Sequence, residues 1–103
     1  MAVRKNIKEL VKKYKSVVNS SGIKIRAIYL YGSYARNLET EDSDIDVAII
    51  SDDFSGNRWQ DGLRVSRLRR KIDLNIEPVT FRSQDFIEED PLVAEIKRHG
   101  IRI

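Results

Sequence analysis

Two aspartates one residue apart, Asp44 and Asp46, open the apolar run that ends at Ile50. Side chains alternate along a strand, so this pair would project from one face, roughly 6 to 7 Å apart at ~3.3 Å per residue. One Mg2+ can bridge carboxylates so placed, and it would offset their repulsion. An acidic pair at a loop end, held by lysines or water, explains the spacing equally well when it stands alone. Here it has company. Gly32-Ser33 follows an earlier apolar run, where a residue without a Cβ lets backbone N–H groups approach a phosphate and the serine hydroxyl adds a hydrogen bond. By itself that dipeptide reads as an ordinary strand-to-helix cap. Further on, the alternating stretch KIDLNIEPV places Asp73, Asn75 and Glu77 on one face and Ile72, Leu74 and Ile76 on the other. A solvated sheet face accounts for that pattern; a metal site would take Asp73 as its third carboxylate, with Glu77 as the alternative.

Rival chemistries fail on their own terms. Asp42, Asp44 and Asp46 imitate positions 1, 3 and 5 of a calcium loop, but Val47 stands where glycine is needed and Asp53 where glutamate is needed. GSYARN is not followed by the Gly-Lys-Ser/Thr of a Walker loop. The chain has no cysteine, which removes disulfides, thiolate zinc sites and cysteine nucleophiles. His99 is the one histidine, and in the last turn of a helix it suits the helix dipole better than a metal.

The elements that must position these residues follow from periodicity. Val3 to Val18 reads as an amphipathic helix, with Ile7, Leu10, Val11, Tyr14, Val17 and Val18 at three- and four-residue steps. IKIRAIYLYG reads as a strand from Ile23, with Ile23, Ile25, Ala27, Tyr29 and Tyr31 on one face and Ile28 and Leu30 on the other; DIDVAII, Asp44 to Ile50, is a second. RWQDGLRVSRLRR suits a helix turning Trp59, Leu63, Leu68 and Val65 to the core, and KIDLNIEPV a third strand closed by Pro78. A helical turn around Ser83 to Glu88 precedes a last helix, which Asp90-Pro91 starts and Gly100 ends with Leu92, Val93 and Ile96 inward, and IRI can add an edge strand. At 103 residues, 41% hydrophobic and 34% charged, the chain suits one domain, residues 1–103, of α/β (α+β) class. No apolar run is long enough for a membrane span and no secretory block opens the chain, so a cytoplasmic location is expected. Basic stretches from Lys5 to Lys15 and Arg58 to Lys71, against acidic ones from Glu39 to Asp53 and Asp85 to Asp90, suit a polyanionic ligand or partner.

GSYARNLETEDSDID resembles the Gly-Ser, ten-residue spacer, Asp-x-Asp signature of the DNA polymerase β-like nucleotidyltransferases, and RRKIDLNIEP resembles their third-carboxylate strand. The stretch from Ile25 to Glu77 carries the motifs, and the minimal nucleotidyltransferase group is the nearest match. The resemblance implies a small mixed β-sheet flanked by helices with its acidic residues gathered on one face. It implies that Gly32 and Ser33 hold the triphosphate of ATP or another NTP, with Arg36 as a possible aid, and that Asp44, Asp46 and Asp73 are the catalytic carboxylates binding two Mg2+. A hydroxyl then attacks the α-phosphorus and pyrophosphate leaves. One position departs: many members have glycine where this chain has Asn37, a residue that tolerates a left-handed backbone best among the others.

Minimal members resemble the antitoxin half of a pair whose partner is a HEPN-type toxin, and the group transferred there is AMP, placed on a tyrosine. A HEPN-type protein partner is therefore expected, and no membrane. Two other classes stay open: a binding module that neutralises a partner by covering it without turnover, and a nucleic-acid-binding domain using the basic helices with Arg64, Arg67, Arg69 and Arg70. The retained carboxylates and Gly-Ser favour catalysis. A homo-oligomer is open, as are core packing or base contact for Tyr29, Tyr31 and Tyr34.

Overall fold

In the computed structural model, residues 6–40 and 43–103 are described. Val3, Lys5 and Asp42 of the sequence reading lie outside them. The order is α1 (Ile7–Ser20), β1 (Ala27–Tyr31), β2 (Ile45–Ile50), α2 (Arg58–Leu68) with a 3-10 extension (Arg69–Lys71), β3 (Ile76–Phe81), a 3-10 turn (Ser83–Asp85), α3 (Pro91–His99) and β4 (Ile101–Arg102). The four strands form one sheet in the order β3-β2-β1-β4. β1 runs antiparallel to β2 and to β4, whereas β3 is parallel to β2. Two parallel neighbours need a long crossover, and α2 supplies it.

Alternation divides the sheet between two apolar layers. Ile28, Leu30, Ile45, Val47, Ile49 and Ile76 pack against Val11, Tyr14 and Val18 of α1 and Val65 of α2. Tyr14 also donates its hydroxyl to the Val65 carbonyl at 2.6 Å, joining the two helices through the core. On the opposite face Ala48, Ile50 and Phe81 meet Val93 and Ile96 of α3, with Tyr29, Tyr31, Val79 and Phe86 at the margin. Burying each large aliphatic or aromatic side chain stabilises the fold by about 1.5 to 3 kcal/mol. Asp90 caps α3 by accepting from the Leu92 amide at 2.9 Å, ahead of Pro91 at the first helical position. Among the described residues no helix is long and apolar enough to cross a membrane.

Three expectations need correction. Regular pairing in β1 begins at Ala27, so Ile23 and Ile25 leave the face of Tyr29 and Tyr31 and pack on the α1/α2 side. α2 is rotated: Trp59 is 75% exposed and Leu63 41% exposed, while Asp61 is buried. The cause is the preceding loop, whose Ser55 amide, Ser55 hydroxyl and Gly56 amide all donate to the Asp61 carboxylate. Turning Asp61 outward would break all three bonds to a charged acceptor at once, about 1.5 to 3 kcal/mol each, which outweighs leaving one indole largely exposed. Finally, β3 starts at Ile76 and runs through Pro78 to Phe81. β3 is an edge strand, so the missing proline N–H can face the open side.

Candidate active site

Asp44 is the residue before β2 and Asp46 its second residue. In the antiparallel register Asp46 lies opposite Tyr31, the last residue of β1. In the parallel register it lies beside Glu77, the second residue of β3. Tyr31, Asp46 and Glu77 therefore occupy one row across three strands, on the face that α3 covers further along.

Gly32 continues directly from that row. Its backbone is left-handed at φ +74, and a Cβ placed there would run into the Asp46 Oδ2, with Cγ only 3.1 Å away. The glycine is thus required twice, by its conformation and by the carboxylate lying against it. Ser33 follows, and its carbonyl accepts from the amides of Arg36 and Leu38 at 3.2 and 2.9 Å, closing a tight turn. Asn37 completes this turn with φ 58, the left-handed conformation that its side chain tolerates. Arg36 stands exposed in the same turn.

The electrostatics of the row are dominated by negative charge. Burial, reinforced by the like charges of Asp44, Glu77 and Glu95, pushes the Asp46 carboxyl from its ordinary range up to about 6. The Tyr31 phenol is pushed up to about 12, first by burial and then by Asp46, Glu95 and Glu77. Arg69 counters part of this field: its Nη1 donates to Glu77 Oε2 at 3.2 Å and to the Ile76 carbonyl at 2.9 Å.

Asp73, the expected third carboxylate, precedes β3 by three residues, and its Oδ1 accepts from the Asn75 amide at 2.8 Å. The strand expected to carry it begins only at Ile76, so the sheet row beside Asp46 holds Glu77.

The family described as polymerase beta, nucleotidyltransferase, matches residues 5–103. The chain belongs to that family. A Methanocaldococcus jannaschii protein assigned as a protein adenylyltransferase, MJ1379, is 31% identical over 97 residues, covering 87% of this chain and 96% of the relative. The protein adenylyltransferase MntA of Shewanella oneidensis is 30% identical over 77 residues, which span 73% of this chain but only 53% of MntA. In fold, the chain is similar to the crystal structure of a toxin-antitoxin with AMP-PNP, at a TM-score of 0.60 and 22% identity, over 88% of this chain and 69% of that one.

A polymerase beta nucleotidyltransferase is expected to use divalent cations, and the donors here suit Mg2+: they are carboxylate oxygens with no soft ligand among them. Burial first, and then the like charges beside it, disfavour an ionised Asp46, and a bound cation would offset both. Among the described residues no three acidic, histidine or cysteine side chains form a ready cage. Mg2+ is commonly held by one or two carboxylates together with substrate phosphates, so an open protein half-site fits it.

Two residues of this candidate site escaped the sequence reading. Glu95 bears on Asp46 and Tyr31 from α3, and only the packing of α3 over the far end of this sheet face reveals which helix side looks at the carboxylates. Arg69 was visible only as part of a basic helix; its contact with Glu77 depends on the 3-10 extension that turns the chain toward β3.

Proposed function

We propose that this nucleotidyltransferase moves AMP from ATP to a hydroxyl of a partner protein, a tyrosine of a HEPN-type toxin, and so acts as an antitoxin by modification. The observation that carries the chemistry is the row Tyr31, Asp46, Glu77 with Gly32 pressed against Asp46. Adenylyl transfer to protein draws support from the names of MJ1379 and MntA, and a toxin partner with an ATP-like nucleotide from the toxin-antitoxin of similar fold.

In this reading Asp44 and Asp46 are the paired carboxylates that hold Mg2+, and Glu77 is the third, in place of Asp73. Mg2+, two ions, would supply charge stabilisation at the attacking and leaving oxygens. The chain's own residues do the rest. The Gly32-Ser33 turn presents amides and a hydroxyl to the triphosphate, because the missing Cβ lets backbone come close. Glu77 stands where a carboxylate can accept the proton of the attacking hydroxyl, and Arg69 orients it through the 3.2 Å contact. Arg36, exposed beside the turn, is placed to neutralise phosphate charge. The acceptor oxygen bonds to the α-phosphorus as pyrophosphate departs.

The test uses ATP labelled at the α-phosphate, Mg2+ and an extract of the cells that encode the protein. Protein-bound label that is stable to RNase and lost in Asp46→Asn is the expected result. Equal labelling by wild type and Asp46→Asn, or none by either, would overturn the proposal, the latter favouring a cover that binds without turnover.

A further inference from the structure

α2 and its 3-10 extension carry an outward stripe that the acidic row does not use. Trp59, Leu63, Ser66 and Arg70 recur at three- and four-residue steps, on the side away from the buried Asp61 and Val65. Trp59 is 75% exposed, Leu63 41% and Leu74 65%. Leu63, Ser66, Arg67, Arg69, Arg70 and Leu74 line an open hollow of about 450 Å3. Among the described residues no carboxylate lines it; Glu77 reaches Arg69 from the side of the acidic row, so the hollow and that row share Arg69.

Tryptophan and arginine are enriched in binding hot spots, and neighbouring leucines supply the apolar surround that excludes water from charged hydrogen bonds. The exposure is imposed by the fold, because the three bonds from Ser55 and Gly56 to Asp61 fix the rotation of α2. Charge decides the occupant. A second copy docking by the same face would oppose Arg67, Arg69 and Arg70 to themselves, in a chain already at net +3. A nucleic acid would satisfy the arginines but leave Leu63 and Leu74 against sugar and phosphate. An aliphatic surface flanked by carboxylates satisfies both.

We propose that the hollow between α2 and the turn before β3, together with the exposed Trp59 one helical turn before Leu63, docks an acidic, leucine-bearing segment of the acceptor protein. This rests on the protein-modifying function above and says where the acceptor is held. Through Arg69, docking adjoins the residue that faces the attacking hydroxyl.

The experiment repeats the labelling reaction with wild type, Arg67→Glu/Arg70→Glu, Leu63→Glu, and the conservative Arg67→Lys/Arg70→Lys. Circular dichroism and ATP affinity establish that each variant is folded and loads nucleotide. Labelling by the double glutamate variant should fall about tenfold or more at limiting acceptor, through KM and not kcat, with Leu63→Glu similar and the lysine variant within about threefold of wild type. Trp59 is the chain's one tryptophan. Its emission should shift to the blue when the purified labelled protein is added to wild type, as the exposed indole is covered. Unchanged labelling by both glutamate variants overturns the docking site while leaving protein modification standing. No labelling by wild type removes both. Label on RNA, with the double variant weakened in step with added salt, assigns the stripe to nucleic acid and also overturns it.

Discussion

The two faces of the sheet are built from the same strands and have opposite fates. Toward α1 and α2, Ile28, Leu30, Ile45, Val47, Ile49 and Ile76 are covered from end to end. Toward α3 the cover stops partway: Ala48, Ile50 and Phe81 are closed over by Val93 and Ile96, whereas the next row holds Tyr31, Asp46 and Glu77. A short helix over one half of a face is enough to separate core from site. The covered half supplies rigidity, and the bare half holds like charges that the rest of the fold must tolerate.

The largest effect expected from breaking this contrast is at Asp46. Asp46→Asn keeps the volume and removes the charge, so nucleotidyl transfer should fall by about a thousandfold, comparable to losing one strongly charged transition-state contact. The same change should leave the metal-free protein about 1 to 2 kcal/mol steadier, after discounting for solvent at a half-buried group. Activity and urea denaturation measured on one preparation check both signs together. A variant that lost stability as well as activity would mean that Asp46 is a structural residue.

On the closed face the signs should differ. Ile49 is fully buried against the α1/α2 layer. Ile49→Ala should cost about 3 kcal/mol of stability and leave the activity per folded molecule within a few-fold of wild type. Gly32→Ala lies between these cases, since it combines an unfavourable left-handed backbone with a collision at the Asp46 carboxylate. About 2 kcal/mol of destabilisation is expected, together with a large loss of transfer.

How much of this was readable beforehand depended on whether local pattern or long-range packing decides a position. The Gly-Ser turn and the Asp-x-Asp pair are local and stand where they were expected, and the order of strands and helices holds, although β1 and β3 begin later than their apolar patterns suggested. The left-handed Asn37 was anticipated from the resemblance, which places glycine there in many members, and from the tolerance of asparagine for that conformation. By contrast, Glu77 and Asp73 both sit on an alternating stretch, and nothing local says where pairing with β2 begins. That start, at Ile76 beside Ile45, puts Glu77 next to Asp46. Trp59 misled for a similar reason: hydrophobicity argued for burial, but the partners of Asp61 lie in a loop whose path periodicity does not describe.

A smaller effect sharpens the comparison through pH. Asp46 is raised in the folded chain to about 6, whereas an unfolded aspartate ionises near 4. Between those values the folded state binds more protons, so this contribution to stability is complete below about pH 4 and is lost as pH rises through 6. Asp52, Asp85 and Asp90 work the other way, lowered chiefly by hydrogen bonds from Arg26, Arg82 and Arg58 respectively, so their support disappears as pH falls. Subtracting the Asp46→Asn curve from the wild-type curve, both with chelator present, cancels the three. The difference should grow against wild type by about 1 to 2 kcal/mol from pH 4 to pH 7. A flat difference would mean that neither burial nor the neighbouring like charges penalise an ionised Asp46.

The smallest expected effect concerns Asn37, at the end of the turn beside the row. Its φ of 58 is costly for most residues and least so for asparagine and glycine. Asn37→Gly relieves the residual strain but loosens the unfolded chain, and these nearly cancel, leaving stability within about 0.5 kcal/mol of wild type. Asn37→Val keeps the size and forces a β-branched side chain into the left-handed region, at a cost of about 2 kcal/mol. If backbone shape is all that position 37 supplies, transfer in Asn37→Gly stays within about threefold of wild type while Asn37→Val loses most of it. A tenfold fall in Asn37→Gly, with its melting temperature unchanged, would instead assign the Asn37 amide a direct contact with the nucleotide.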